Sequence, residues 1–413
     1  MLRFDIFCRV IDHFGDAGVC WRLAKELSGA PFYAEVRLWI DDLSTLQKIT
    51  PPKNQQGPVR RSSNKAAQNQ RLSIHLWPEQ DTALTPNDWP EPHPIVIEAF
   101  AGGLPPAMRA QLTANHLWIV LDHLSAEKWV EEFHELPGHA DGLHTQKYYF
   151  YPGFTENTGG LLRQPDLLSQ IRHWQSQPRL MQWQKLAAPL GLSSTDVRQL
   201  ASSRVFFIFQ YPHAPVTALL QSLYQQEPTP PTTLLFAADQ DYHYQSAQQF
   251  LQAKMSLCVK EDSVDSPAIR LLQLPFIKQQ YFDQLLWSTD LNFVRGEDSW
   301  MQALWAQLPF IWQPYPQTER THLIKLRAWL QRLGLPHAVQ KLIGQWNQAN
   351  PDNPSTPGNQ YLDDTGDLDI TALEPILLQR WQQNIRHEVH KLSMQDSLSA
   401  RLIQFCKQKL NSR

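Results

Sequence analysis

The block LLWSTDLNFVRGEDSWMQALWAQLPFIWQPYPQ, Leu285 to Gln317, constrains the fold more than any other stretch of the chain. Asp290 to Val294 begins with alternation and then stays apolar, as a strand buried on both faces does. Arg295-Gly296-Glu297-Asp298-Ser299 follows at its carboxyl end. Ser299 and Gln302 have the spacing of a capping box, which predicts a helix to about Gln307. Pro309 to Gln313 is a second apolar strand, and Pro314-Tyr315-Pro316-Gln317 is a turn. Strand, loop, helix, strand is the βαβ unit of a doubly wound parallel sheet.

Ligands of open α/β sheets collect at the carboxyl ends of the strands, and the helix start at Ser299 would present backbone N–H groups and a positive dipole end there. A phosphate is held by such an end. Arg295 can neutralise a diphosphate, whereas Glu297 and Asp298 are acceptors suited to sugar or ribose hydroxyls, so the turn suits a nucleotide-sugar. The same residues also fit a plain helix cap with Arg295 paired to Glu297.

Phe4 to Ile11 reads as a first strand, broken only by Asp5 and Arg9, and Val19 to Leu27 has helical spacing. Between them Asp12-His13-Phe14-Gly15-Asp16-Ala17-Gly18 is a glycine-containing turn. It lacks the first glycine of a dinucleotide fingerprint, and its two carboxylates would repel a pyrophosphate. Asp12 and Asp16 can instead bracket one guanidinium or ammonium group. A turn made by Asp12 and a helix cap made by Asp16 would give the same local pattern.

Further strands are expected over Ala34 to Ile40, Arg71 to Trp77, Pro94 to Phe100 and His116 to Leu121, which places Glu98 and Asp122 near strand ends. Lys147 to Arg163, with Pro152, Gly153, Gly159 and Gly160, reads as a loop closing a first domain, either a linker or a backbone cradle for a diphosphate. A second series of strands is expected at Arg204 to Tyr211, Thr232 to Ala237, Met255 to Lys260 and Ile269 to Leu274, separated by helices such as Ala214 to Tyr224 and Gln279 to Trp287. Pro51 to Gln70 and Gly344 to Gly366 are polar and read as exposed insertions. Thr371 to Leu410 reads as helical.

The length of 413 residues suffices for two cores. With 37 basic and 40 acidic residues the net charge is -3, which gives no whole-chain electrostatic case for nucleic acid or membrane. The basic cluster Arg60, Arg61 and Lys65 falls in a polar insertion. Cys8, Cys20, Cys258 and Cys406 lack CxxC spacing and read as buried thiols of a reducing compartment. No run approaches the ~20 apolar residues of a membrane span, so a soluble, cytoplasmic protein is expected. His387 and His390 sit in HEVH, which is not the HExxH zinc motif, and GxSxG and Walker A loops are absent from the sequence.

The pieces VIDHFGDAGVCWRLAKEL, IEAFAGGLP, LDHLSAEKWVEEFHELP, YFYPGFTENTGGLLR and the block around RGEDS together resemble, in order and spacing, the EarP family, bacterial arginine rhamnosyltransferases that mature translation elongation factor P. The likeness spans nearly the whole chain. It implies a GT-B glycosyltransferase with two Rossmann-like, doubly wound α/β domains facing across a cleft. The expected divisions are an acceptor-side domain over 1–165, a nucleotide-sugar domain over 166–375, and helices over 376–413 packing back on the first domain. It implies dTDP-β-L-rhamnose as donor, elongation factor P as protein partner, inversion at the anomeric carbon, no cofactor and no metal.

By the same resemblance Asp12, Asp16 and Glu297 match the catalytic acids, and Arg295, Glu297, Asp298 and Ser299 match the nucleotide-sugar loop. Gln279, Phe209 and Tyr211 are matched to the thymine and ribose, although the string Phe-Gln-Tyr-Pro-His departs from the family pattern, and His13 stands where the family has Asn. The chemistry expected is a carboxylate, Asp16, taking a proton from a guanidinium oriented by Asp12, while Glu297 positions the sugar and Arg295 stabilises departing dTDP. Two alternatives stand beside this reading: another metal-independent GT-B enzyme with a different donor or acceptor, and a non-catalytic nucleotide-sugar-binding module, against which the carboxylates of Asp12, Asp16 and Glu297 argue.

Overall fold

A computed structural model of the chain describes residues 1–412 except 51–70, 78–88, 141, 143, 144, 227–229, 259–268, 318 and 349–367. The basic cluster and the first polar insertion therefore lie outside the described residues. The chain divides into two compact units, Met1–Leu167 with Lys391–Arg413, and Leu168–His390.

The first unit contains β1 (Arg3–Cys8), α1 (Phe14–Ser28), β2 (Glu35–Ile40), α2 (Leu43–Ile49), β3 (Leu72–Leu76), β4 (Ile95–Ala99), α3 (Pro106–Arg109), β5 (Leu117–Leu121), α4 (Trp129–Phe133), β6 (Pro137–Gly138) and β7 (Gln146–Phe150). Its sheet has the order β3-β2-β1-β4-β5-β7-β6. All pairings are parallel except that of β6 with β7. One face packs Ile6, Leu38, Ile97 and Ile119 against Cys20, Leu23, Leu27, Leu402 and Phe405, and the other packs Phe7, Trp39, Trp77, Trp89 and Trp118. The unexpected charge in β1 is accounted for inside this unit. Asp5, fully buried, accepts from Arg37 at 2.5 and 2.6 Å, from Trp39 Nε1 at 2.9 Å and from the backbone of His93 at 2.7 Å. A buried carboxylate is tolerated when its oxygens are paired in this way.

The second unit begins with α5 (Leu167–Gln175), whose first residue is the last of the first unit, and continues through α6 (Arg179–Leu190), α7 (Ser194–Ser202), β8 (Arg204–Ile208), α8 (Val216–Gln226), β9 (Thr232–Phe236), α9 (Asp241–Cys258), β10 (Ile269–Gln273), α10 (Gln279–Leu286), β11 (Leu291–Arg295), α11 (Asp298–Trp305), β12 (Phe310–Gln313), α12 (Thr321–Leu333) and α13 (His337–Gln348). After a 3-10 turn at Ile370–Leu373, α14 (Pro375–Ser393) belongs to this unit as far as His390, and α15 (Leu398–Asn411) belongs to the first. Its sheet, β10-β9-β8-β11-β12, is parallel throughout. The indoles of Trp300 and Trp312 stack 3.7 Å apart beneath it.

Four expectations are corrected. Met255 to Cys258 are the end of helix α9, not a strand, because a short apolar run has no period that separates a strand from a buried helix turn. Gln146–Phe150 is strand β7, although Lys147 to Arg163 reads as loop, since the Pro and Gly signals that follow mask a five-residue aromatic run. Gly344 to Gln348 are the last residues of α13 and not an exposed insertion: Gln345 and Trp346 are fully buried, and the remainder of that insertion lies outside the described residues. The segment grouped with the first unit is Lys391–Arg413, shorter than the expected 376–413. There α15 buries Leu398, Leu402, Phe405 and Cys406 against the sheet, and Ser399 donates to Glu26 at 2.8 Å.

Candidate active site

In the second unit β11 ends at Arg295 because Gly296 turns the chain with φ 61, a left-handed conformation that costs glycine little. Glu297 is the residue before α11 and makes no side-chain cap bond, and Asp298 is the first helical residue. The capping box expected from Ser299 and Gln302 does not form. Ser299 lies inside the first turn, where its hydroxyl donates to the Arg295 carbonyl and accepts from the Arg295 backbone N–H at 3.1 Å. A serine hydroxyl bonding back to the carbonyl of residue i−4 is a common alternative to capping. Here it locks the turn onto the strand that feeds it.

The Arg295 guanidinium does not pair with Glu297, the alternative open from sequence. It is ion-paired with Asp239 and donates to the Gln210 carbonyl at 3.0 Å. It also lies 4.5 Å from the ring centre of Phe209 and 5.0 Å from that of Tyr211, cation–π distances for both. The expected residues Phe209, Tyr211 and Arg295 are thus brought together at the carboxyl ends of β8 and β11. Gln279, at the start of α10, donates to Asp298 at 3.2 Å, which joins a further expected pair.

Sequence reasoning missed the residues that hold this group in place. Gln313, at the end of β12, accepts the Tyr211 backbone N–H at 2.8 Å. The segment after β9 supplies Asp239 to Arg295, Gln240 to the Gln210 backbone at 2.9 Å, and His243 to the Tyr211 carbonyl at 3.0 Å. Burial lowers the His243 pKa, which suits a neutral ring donating to that carbonyl. From α13, Trp346 donates to the Gln210 side chain at 2.8 Å. The one readable signal was the Asp239-Gln240-Asp241 run just past a strand end.

In the first unit, β1 leads into the turn that carries Asp12 and Asp16. His13 adopts φ 37, which non-glycine residues seldom do, and Gly15 donates to the Asp12 carbonyl at 2.7 Å. A Cβ on Gly15 would stand 2.8 Å from an Asp12 carboxylate oxygen, so a side chain there would displace the Asp12 carboxylate. Asp16 lies in the first turn of α1 and is buried, and its Oδ2 accepts the backbone N–H groups of both Ile11 and Asp12 at 2.8 Å. The carboxylate reaches back to the turn and does not act as a simple helix cap. Asp12 remains half-buried.

Other sequence candidates have structural roles. Glu98 accepts from Gly103 at 2.9 Å and Trp118 at 2.9 Å, anchoring a turn. Asp122 accepts the N–H of His123. The Gly153 to Gly160 loop is closed on itself, with Gly159 bonded to the Tyr151 carbonyl at 2.7 Å, and Arg401 of α15 donates to the carbonyls of Thr155, Glu156 and Thr158. It is a clasp within the first unit and not a bare linker. His387 and His390 are exposed, and among the described residues no three His, Cys, Asp or Glu side chains converge as a metal-binding group. Cys8, Cys20 and Cys406 are buried free thiols. No helix among the described residues is long and apolar enough to cross a membrane.

Two doubly wound units, one with an arginine and a helix start at its strand ends, give the chain an α/β fold of the GT-B class. Comparison with known proteins narrows that class to a family. The pattern described as Elongation-Factor P (EF-P) rhamnosyltransferase EarP matches residues 4–407, and the chain belongs to this family of enzymes. A protein-arginine rhamnosyltransferase of Pseudomonas aeruginosa is 32% identical over 412 residues, 98% of this chain and 99% of its own. One from Shewanella oneidensis is 35% identical over 358 residues, 84% and 85% of the two chains. A solved structure concerned with EarP-mediated arginine glycosylation of translation elongation factor EF-P shares the fold, with a TM-score of 0.53 at 23% identity over 99% of each chain.

Proposed function

We propose that the protein transfers L-rhamnose from dTDP-β-L-rhamnose to an arginine side chain of translation elongation factor P, with inversion at the anomeric carbon. The observation that carries the donor half is the Arg295 guanidinium held against Phe209 and Tyr211 beside the N-terminus of α11. Aromatic rings suit a thymine base, and a guanidinium with helix amides suits a diphosphate. The acceptor half rests on relatives that are protein-arginine rhamnosyltransferases, and on the Asp12 and Asp16 turn, whose carboxylates match a cationic acceptor.

An arginine guanidinium, with a pKa above ~12, is a poor nucleophile until a carboxylate orients it and takes its proton. In the proposed step a guanidinium nitrogen attacks the anomeric carbon as the bond from that carbon to the diphosphate oxygen breaks. The proton passes to Asp16, whose anchoring by two backbone N–H groups gives its carboxylate one fixed orientation. Asp12 orients the guanidinium, and Glu297 positions the sugar. The negative charge developing on dTDP falls to Arg295 and the α11 amides, without a metal. Asp298, held by Gln279, and Ser299, which locks the turn, complete the donor site.

A translation factor as acceptor accords with a cytoplasmic enzyme. The proposal is tested by supplying the protein and elongation factor P with dTDP-rhamnose and, separately, with other nucleotide-sugars. Transfer from a different donor alone would replace this donor assignment, and binding of donor with no release of nucleotide would make the protein a binding module.

A further inference from the structure

Asp239 lies outside every element assigned to donor binding, in the loop between β9 and α9, yet it is the ion-pair partner of Arg295. The pairing occurs at a half-shielded position: the Asp239 side chain is 33% exposed and that of Arg295 is 15% exposed. Arginine carries five N–H donors in a fixed planar fork. Among the described residues two of the Arg295 donors are engaged, one by Asp239 and one by the Gln210 carbonyl. The plane of the guanidinium is set once those two bonds and the two flanking rings fix it.

The loop that supplies Asp239 is itself tied to the opposite side of the same group. Gln240 accepts the Gln210 N–H at 2.9 Å, and its amide donates to the Asp239 carboxylate at 3.2 Å. Three residues further on, the buried His243 bonds to the Tyr211 carbonyl at 3.0 Å. The Arg295 guanidinium and the Gln210 and Tyr211 backbone are therefore all tied to one short segment.

We propose that Asp239 is a positioning residue for donor binding, orienting the Arg295 guanidinium toward the diphosphate of the nucleotide-sugar. The inference rests on the donor reading given above and adds a residue to it. The Asp239 carboxylate acts through Arg295, and the ordering it imposes before the donor arrives lowers the entropic cost of fixing a long, flexible side chain on binding. A counter-ion without a positioning role predicts the opposite effect, since its removal would free Arg295 and strengthen attraction for an anion.

The test uses the full chain with dTDP as binding probe and dTDP-rhamnose with elongation factor P as substrates. Asp239→Ala is expected to raise the dTDP Kd and the donor KM about tenfold, because Arg295 loses its fixed orientation toward the diphosphate. The melting temperature should stay near that of the wild type, as befits a partly exposed loop residue, and Asp239→Glu should recover most of the affinity. Equal or tighter dTDP binding by Asp239→Ala overturns the proposal, and so does a parallel loss of kcat and melting temperature with no recovery in Asp239→Glu. Normal wild-type binding accompanying either result leaves the donor reading intact. Absence of dTDP and dTDP-rhamnose binding by the wild-type chain overturns the donor reading and this inference with it.

Discussion

Asp16 accepts the backbone N–H of Asp12 at 2.8 Å, so the two carboxylates proposed to act on the acceptor share one rigid turn. The same oxygen also accepts from Ile11 at 2.8 Å, and Gly15 closes the turn onto the Asp12 carbonyl at 2.7 Å. Strand β1 delivers the turn and α1 carries Asp16, so the spacing of the carboxylates is set by backbone geometry more than by side-chain choice.

Asp16→Asn separates chemistry from structure. An amide oxygen can still accept the two N–H groups, so the melting temperature and dTDP affinity should stay near wild type while kcat falls by about 10²–10⁴ through loss of the base. Asp16→Ala removes both functions and should lower the melting temperature as well. Near wild-type turnover by Asp16→Asn in a single-turnover assay would show that another group accepts the proton.

Ser299→Ala removes the hydroxyl that bonds to both the carbonyl and the N–H of Arg295. The expected cost is about 1 kcal/mol of stability together with a several-fold weaker dTDP affinity, as the turn loses its lock. Calorimetric titration of dTDP alongside thermal unfolding checks it. A stability loss with unchanged affinity would detach the lock from donor binding.

Gly296→Ala places a side chain where φ is 61, at a cost of roughly 1–2 kcal/mol. The Gly296 carbonyl is also held by Trp312 Nε1 at 2.7 Å, which limits relaxation. Chemical denaturation should register the loss, and donor KM should rise with it. A variant as stable as wild type would mean that the turn can adopt another conformation.

Glu26 gives a pH signature. Burial raises its pKa to about 7, opposed by the Ser399 hydrogen bond and by Arg22 and Arg163. A group protonated more readily in the folded state contributes stability below its unfolded value, near 4.5, and that contribution is lost as pH rises through about 7. His75 and His134 run the other way: burial lowers both to about 4, so their contribution is complete above about 6.5 and is lost as pH falls toward about 4. Glu26→Gln should therefore gain stability relative to wild type as pH rises from 4.5 to 7, by on the order of 2 kcal/mol. Unfolding curves across that range measure the difference, and parallel curves for the two proteins would contradict it.

The parallel alternation of both units was legible because β1, β2, β4, β5, β8, β9, β11 and β12 are predominantly apolar runs punctuated by polar turns. The end of α9 was not, since Met255 to Cys258 is too short for its period to be read. Arg295, Phe209 and Tyr211 were individually visible, and the structure adds their stacking. Asp239, His243 and Trp346 could not be tied to them, because the contacts span 56, 32 and 136 residues, and no local pattern reports a pairing made across strands. The Ser299 capping box failed for a related reason. The spacing was correct, but a hydroxyl there has two competing backbone partners, and only the helix start at Asp298 decides between them.

The central claim is that this chain joins rhamnose to a guanidinium. Mass spectrometry of elongation factor P after incubation with the protein and dTDP-rhamnose tests it most directly. The account predicts one deoxyhexose added to a single arginine, with dTDP released in equal amount and both lost in Asp16→Asn. Unmodified elongation factor P, under conditions in which the protein binds dTDP-rhamnose, would contradict it.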